Sequence, residues 1–181
     1  MPPGLLTYLR LAPLGLFFTL FFTLPTAPLW AALSVLMGWK VLPGFLALIH
    51  TSNDDLDGGQ HQLHWPEASG LALMWQRTRW IWRNPSSGFF GEILGIPKEG
   101  TTLDYREAGP LSGRTATRFY NYTVWRTADG RLYFGWRCNW PLFGKWYIKM
   151  WFGWRYYDNP DQYKHPRFHD LCLDAWVKTT T

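Results

Sequence analysis

Charge is what the first third of this chain lacks: before Asp54 only Arg10 and Lys40 are charged, and Leu11 to Trp39 carries none at all. Cysteine is nearly missing as well. Cys138 and Cys172 stand far apart with no C-x-x-C spacing, which excludes a disulfide framework or a zinc ribbon and leaves room for a single bridge at most. There is no G-x-S-x-G elbow, no phosphate-cradling glycine loop and no Cys and His pair in a supporting motif, so no reaction is spelled out and no catalytic residue or cofactor is assigned. Acidic residues are the minority sign, 13 against 18 basic ones, giving a net charge of +5 and a pI near 9.3. That balance suits an anionic surface, lipid or nucleic acid.

Aromatic residues are abundant: Trp 13, Tyr 9 and Phe 12 in 181 residues, with 47% hydrophobic residues overall but a mean hydropathy of only -0.20. This combination excludes a disordered chain and a multi-span transporter, and suits one modest domain attached to an apolar segment. The segment is the Leu11 to Trp39 run, which exceeds the roughly 20 helical residues that a bilayer core needs. Pro25 and Pro28 interrupt it, each removing a backbone donor and crowding the preceding turn. The expectation is a membrane anchor in residues 1–50, either one kinked span over about Leu16 to Leu36 or, favoured, a helical hairpin turning at Leu24 to Pro28. The hairpin brings Arg10 and Lys40 to one side, as the positive-inside bias prefers. A cleaved signal peptide and a buried core hairpin are the rivals, the former weakened by a poor cleavage site around Ala27.

Residues 51–65 read as an acidic linker. Asn53, Asp55, Asp57 and Gly58 fall at calcium-loop spacing, although His64 stands where a bidentate Glu belongs. Residues 66–181 read as a Trp-rich α+β domain. In it Pro66 to Trp82 is a helix, with Leu71, Trp75 and Trp82 on one face and Arg77, Arg79 and Arg83 on the other. Pro97 to Ser112 reads as a surface loop. Alternation then predicts an antiparallel three-stranded meander near Thr117–Thr127, Arg131–Cys138 and Lys145–Tyr157, its first hairpin turning at Ala128-Asp129-Gly130. Phe134-Gly135-Trp136-Arg137 recurs as Phe152-Gly153-Trp154-Arg155. On the third strand Lys145, Tyr147, Lys149, Trp151 and Arg155 share a face by period two.

Trp, Tyr and cationic side chains together favour the headgroup zone of a membrane. Trp75, Arg77, Arg79, Trp80, Trp82 and Arg83, with that third-strand face, are therefore the expected membrane or partner surface. A sheet of this kind also suits single-stranded nucleic acid, but without an RRM signature nucleic acid is not the expected partner. His165, His169 and Cys172, with His61 and His64, have zinc-ligand chemistry. Leu171, Leu173 and Trp176 read as a segment closing on the domain.

Trp80-Ile81-Trp82-Arg83-Asn84-Pro85, Gly88-Phe89 and Leu94-Gly95, placed after an apolar N-terminus and the Ser52 to Gly59 turn, resemble an uncharacterised family of small bacteriophage and prophage proteins with a W-x-W-R-N motif. The resemblance implies a phage origin and carries over no activity. The resulting expectation is a non-enzymatic, phage-encoded accessory protein of the host inner membrane, its C-terminal domain in the cytoplasm, binding lipid and a membrane or envelope protein. Alternatives are a tail or capsid component with the apolar segment buried between subunits, and a metal-dependent enzyme at the membrane surface.

Overall fold

The computed structural model describes residues 1–50, 55–57, 68–110, 119–155 and 167–179. The chain packs as two compact units, Pro13–Leu94 and, separately, Met1–Ala12 with Gly95–Thr181.

The apolar run is one helix, not a hairpin. α1 (Leu5–Phe18) passes through a π-helical turn at Thr19–Thr23 into α2 (Leu24–Leu36). The wide turn, in which the Leu24 N–H reaches back to the Thr19 carbonyl, carries the backbone past Pro25, the way π-bulges often accommodate an irregularity without breaking a helix. Pro28 lacks the N–H that would have bonded the Leu24 carbonyl. That carbonyl accepts instead from the Trp82 indole Nε1 at 3.0 Å. Arg10 and Lys40 therefore do not meet at one end of a hairpin.

A 3-10 turn follows at Gly44–Ile49, then α3 (Gly70–Arg83) and α4 (Ser87–Glu92). Of the expected α3 start, Pro66 and Glu67 lie outside the described residues, and the helix begins at Gly70, which has a φ of 55°. α3 runs along α2 in the opposite direction, joined by Trp82 to Leu24 and by Arg77 to Ser34. Beneath them Leu42, Leu46, Ile49, Leu56 and Ile81 form an apolar cluster to which the long helix contributes Ala27.

In the other unit the expected three-stranded meander is corrected to two antiparallel sheets. A five-stranded sheet has the order β2-β3-β4-β5-β7, and a two-stranded one pairs β1 with β6. The strands are β1 (Ile96–Pro97), β2 (Thr102–Pro110), β3 (Phe119–Arg126), β4 (Leu132–Pro141), β5 (Trp146–Trp154), β6 (Phe168–His169) and β7 (Leu171–Thr179). The middle three match the expected meander, with the tight turn closed by Gly130 at a φ of 81°. β2 occupies the expected surface loop. It is an edge strand exposed from Thr102 to Ala108, with Asp104 paired to Arg126 at 2.9 Å and Glu107 accepting from the Tyr105 and Tyr120 hydroxyls. Charge on both faces hides a strand from any alternation test while guarding its open edge.

β7 is the other edge, formed by the expected closing segment. The repeated F-G-W-R pattern proves to be a register pair: Gly135 lies opposite Gly153. Neither has room for a side chain, since a Cβ on Gly135 falls on the Trp154 carbonyl oxygen and one on Gly153 falls on that of Phe134. Tyr8 closes this unit, edge-on to Phe134 at 5.4 Å and donating its hydroxyl to the Cys172 carbonyl at 3.0 Å.

A prediction follows for the helix pair. Trp82→Phe is expected to cost about 1 kcal/mol, the net worth of one hydrogen bond. In a Pro28→Ala background, where Leu24 regains its helical donor, the cost should shrink. A thermal-denaturation double-mutant cycle checks this; equal costs in both backgrounds count against the capping role.

Candidate functional site

Two surfaces stand out, one in each unit. The first is the outer side of the long helix. Its buried positions within Pro13–Leu94 are Gly15, Thr19, Thr23, Ala27, Ala31 and Ser34, spaced by three or four residues and therefore one stripe. All are small. Thr19 and Thr23 both bond the Ser86 hydroxyl, at 2.8 and 2.7 Å, and a Cβ on Gly15 would strike the Phe90 ring. Many large residues point outward, among them Leu14, Phe17, Phe21, Leu29 and Leu36, while Phe18 and Trp30 are half-buried and pack against the core. A helix in a water-soluble core does the opposite, burying Leu and Phe to remove apolar area from water. Small inward residues, hydroxyl contacts between elements and a large apolar exterior are the arrangement of helices that pack inside lipid. Among the described residues this helix, Leu5–Leu36, is the one long and apolar enough to cross a membrane.

On the flank of that surface, α3 exposes Trp75, Arg79, Trp82 and Arg83, with Trp75 edge-on to Trp82 at 5.7 Å. Trp80 and Arg77, expected on the same surface, are 3% and 4% exposed and belong to the interior. Arg77 points into the unit as a fork. Its Nε and Nη2 donate to the two Asp57 oxygens at 2.8 and 3.2 Å, and its Nη1 donates to Ser34 Oγ at 2.9 Å and the Trp39 carbonyl at 2.7 Å.

The second surface is the sheet, whose two faces differ sharply. One face carries Arg137, Trp151 and Asp174 in one cross-strand row and Asn139, Lys149 and Trp176 in the next. Trp151 is its centre, buried, with Lys149 Nζ at 4.5 Å and the Arg155 and Arg137 guanidiniums at 4.2 and 5.1 Å from the ring centroid. Burial and the neighbouring Arg137, Arg155 and Lys178 cations push Lys149 down to about 8. Arg155 also donates to Asp174 at 2.6 Å. Of the residues expected on this face, Lys145 is exposed, Tyr147, Lys149 and Arg155 are half-buried, and Trp151 is interior. The opposite face has the rows Trp136, Phe152, Leu173; then Cys138, Met150, Ala175; then Trp140, Ile148, Val177. These three rows carry no charged residue, whereas Glu107, opposite Tyr122, stands at the β2 end of the first row.

The metal candidates are dispersed. Asn53, His61, His64 and His165 lie outside the described residues. Asp57 is occupied by Arg77, and an Asp55 oxygen accepts the Asp57 N–H at 3.1 Å. His169 stacks on Trp125 with centroids 4.0 Å apart, while burial pushes the Cys172 thiol up, keeping it neutral. Among the described residues no group of three or more His, Cys, Asp or Glu is placed to hold an ion. Cys138 and Cys172 are both free and buried, on opposite faces of the sheet, so they do not form the bridge that two cysteines allowed.

His169 supplies a pH prediction. Burial first, then the Lys98 charge, lowers it from 6.5 to about 4. Between those values the unfolded chain binds a proton that the folded one does not, so stability rises with pH through that window and levels off above it. Urea titrations from pH 4 to 7 should show this slope, and His169→Gln should flatten it.

Signals for the outer helix face were present but unread: small residues recur at Gly15, Thr19, Thr23, Ala27 and Ala31 every fourth position. The sequence model of a family of unknown function (DUF7338) matches residues 1–175. The chain belongs to that family. The match takes in the helical unit and all of the sheet except the last residues of β7, from Trp176 on. No curated protein and no solved structure matches the chain.

Proposed function

We propose that this chain is a membrane-embedded, non-enzymatic accessory protein whose long helix lies in the plane of the membrane interface. The observation that carries this reading is the inverted helix, whose fully buried stripe from Gly15 to Ser34 is all small residues while most of its Leu and Phe side chains are exposed. In-plane placement, rather than a span, follows from the neighbours. Trp82 bonds Leu24, at the middle of the Pro13–Leu36 stretch, and the exposed Arg83 is the next residue. Exposed Glu92 closes α4, whose Phe90 packs on Gly15 near the helix start. A span would draw these charges through lipid, at about 2.5–3.5 kcal/mol for an Arg near the midplane. Lying flat, the helix buries its apolar side about 5–10 Å deep and leaves Trp75, Arg79, Trp82 and Arg83 in the headgroup zone.

The same reading assigns the basic residues after Lys40 to an anionic leaflet, which favours the cytoplasmic face of the inner membrane. The resemblance to phage and prophage proteins supports a phage-encoded protein acting on its host. The exposed Trp and Arg side chains of α3 are the surface that a membrane or envelope protein would meet.

Fractionation of expressing cells tests this. The intact chain should sediment with membranes, resist carbonate and need detergent, whereas a chain carrying Phe17→Gln, Phe21→Gln and Leu29→Gln should be released by carbonate. An intact chain in the soluble fraction contradicts the reading and favours burial of the helix between subunits of a particle.

A further inference from the structure

The two edges of the five-stranded sheet are built differently. β2 is guarded: its register slips between Leu103 and Tyr105, it carries Asp104, Arg106 and Glu107, and it ends at Pro110, which has no N–H to offer. Charge, irregularity and proline keep an edge from pairing. β7 runs in unbroken register along β5 from Leu171 to Thr179 and contains no proline. From Leu173 to Val177 its side chains are exposed, with only Asp174 half-buried.

The Arg155 N–H donates to the Asp170 carbonyl at 2.8 Å, next to the Trp154 and Leu171 pair. Hydrogen-bonded pairs recur at every second residue of an antiparallel ladder. Cys172, Asp174, Trp176 and Lys178 therefore direct their backbone groups to β5, while Leu173, Ala175 and Val177 direct theirs to the open side.

The side chains of this edge are self-complementary. Asp174, Trp176 and Lys178 share a face, but within one chain Asp174 and Lys178 stand about 13 Å apart along the strand, too far to pair. Asp174 gives its Oδ2 to Arg155, and Lys178 forms no ion pair among the described residues. Rotating a second copy by half a turn about an axis normal to the sheet at Trp176 sets Asp174 opposite that copy's Lys178, and Lys178 opposite its Asp174. The two indoles, each 41% exposed in the single chain, then face each other, and Ala175 and Val177 exchange backbone bonds with the copy's Val177 and Ala175. A shift of one residue either way sets Asp174 or Lys178 against Trp176. A shift of two sets Asp174 against Asp174 or Lys178 against Lys178, and like charges directly opposite are destabilising. A strand from another protein would need this same charge order reversed, which an antiparallel copy of this chain supplies.

We infer that β7 pairs antiparallel with β7 of a second copy, centred on Trp176, to make an isologous dimer with one continuous sheet. The pairing uses the sheet edge and not the long helix, so it stands or falls independently of the membrane reading.

The test is disulfide trapping on the full chain in mild detergent. In this register two Trp176 positions form a non-hydrogen-bonded pair with Cα atoms about 4.5 Å apart, within disulfide reach. Two Ala175 positions lie about 8–9 Å apart, outside it. On mild oxidation Trp176→Cys should give about tenfold more crosslinked dimer than Ala175→Cys; the native cysteines are buried. Adding Lys178→Asp or Asp174→Lys to Trp176→Cys opposes like charges and should lower the yield about fivefold. Mixing those two variants should restore it, because the mixed pair again sets opposite charges together. Equal crosslinking at Trp176→Cys and Ala175→Cys would mean collision without a register, and a Lys178→Asp yield equal to its parent's would mean that charge does not set one. A chain monomeric by light scattering and without crosslink would leave β7 to lipid or to another protein's strand. Each of these three results overturns the proposal.

Discussion

Gly153→Val is expected to cost about 3 kcal/mol or more, out of a total that for a domain is about 5–15 kcal/mol. Two physical terms add. The φ of 80° is a left-handed conformation that costs an L-residue about 1–2 kcal/mol. The new Cβ also falls on the Phe134 carbonyl oxygen and within 2.9 Å of two Phe134 ring carbons, an overpacking that costs about 1–3 kcal/mol. Gly130→Val separates them, because Gly130 has a φ of 81° and nothing within 4 Å of its Cβ. Urea denaturation should show Gly153→Val the worse by the packing term. Equal losses would mean that β4 and β5 do not approach as closely as the Gly135 and Gly153 pair requires.

Arg77→Leu is the second large effect, expected at about 3 kcal/mol, the scale for removing one partner of a buried ion pair. Four hydrogen bonds end on this guanidinium, and they join α3 to Ser34 of α2, to the Trp39 carbonyl and to Asp57. Its loss strands the Asp57 carboxylate and an interior carbonyl together. Arg77→Lys should recover little, since an ammonium cannot span a carboxylate bidentately while also reaching Ser34 and Trp39. Asp57→Asn should cost less, because that side chain retains 32% exposure. Melting temperatures in one detergent compare the three. A Lys variant as stable as the native chain would remove the fork from the account.

What the sequence made legible depended on which period each element shows to solvent. β3, β4 and β5 carry apolar residues on one face and polar or basic ones among aromatics on the other, and their turn residues mark the ends. β2 carries Asp104, Arg106 and Glu107 on an edge exposed from Thr102 to Ala108, so nothing in its pattern distinguishes strand from loop. β7 does alternate, Leu171, Leu173, Ala175 and Val177 against Cys172, Asp174, Trp176 and Lys178, and its reading as a mere closing segment gave too little weight to period two. Pro25 and Pro28 argued for a turn by local chemistry. Their cost was met from elsewhere, by a π-turn beginning at Thr19 and an indole from Trp82, partners that local sequence does not reveal.

The same limit explains the surface residues. Arg77 and Arg79 differ by two positions, which on a helix turns one inward and leaves the other out. Charge alone assigned both to solvent; Asp57, twenty residues earlier, draws Arg77 inside. Trp80 and Trp82 divide in the same way, one interior, the other capping Leu24 from a partly exposed position.

The central claim, an apolar helix lying flat in the membrane interface, is tested most directly by depth. Spin labels at Leu14, Phe21, Leu29 and Leu36, all on the outward side, are placed one at a time on the full chain in vesicles, and their collision with lipid-soluble oxygen and with a water-soluble nickel chelate is compared. The account predicts four similar depths just below the headgroups. A depth that increases to a maximum near Phe21 and Leu29 and falls toward both ends would mean a span, and four labels open to the chelate would mean that the helix does not meet lipid.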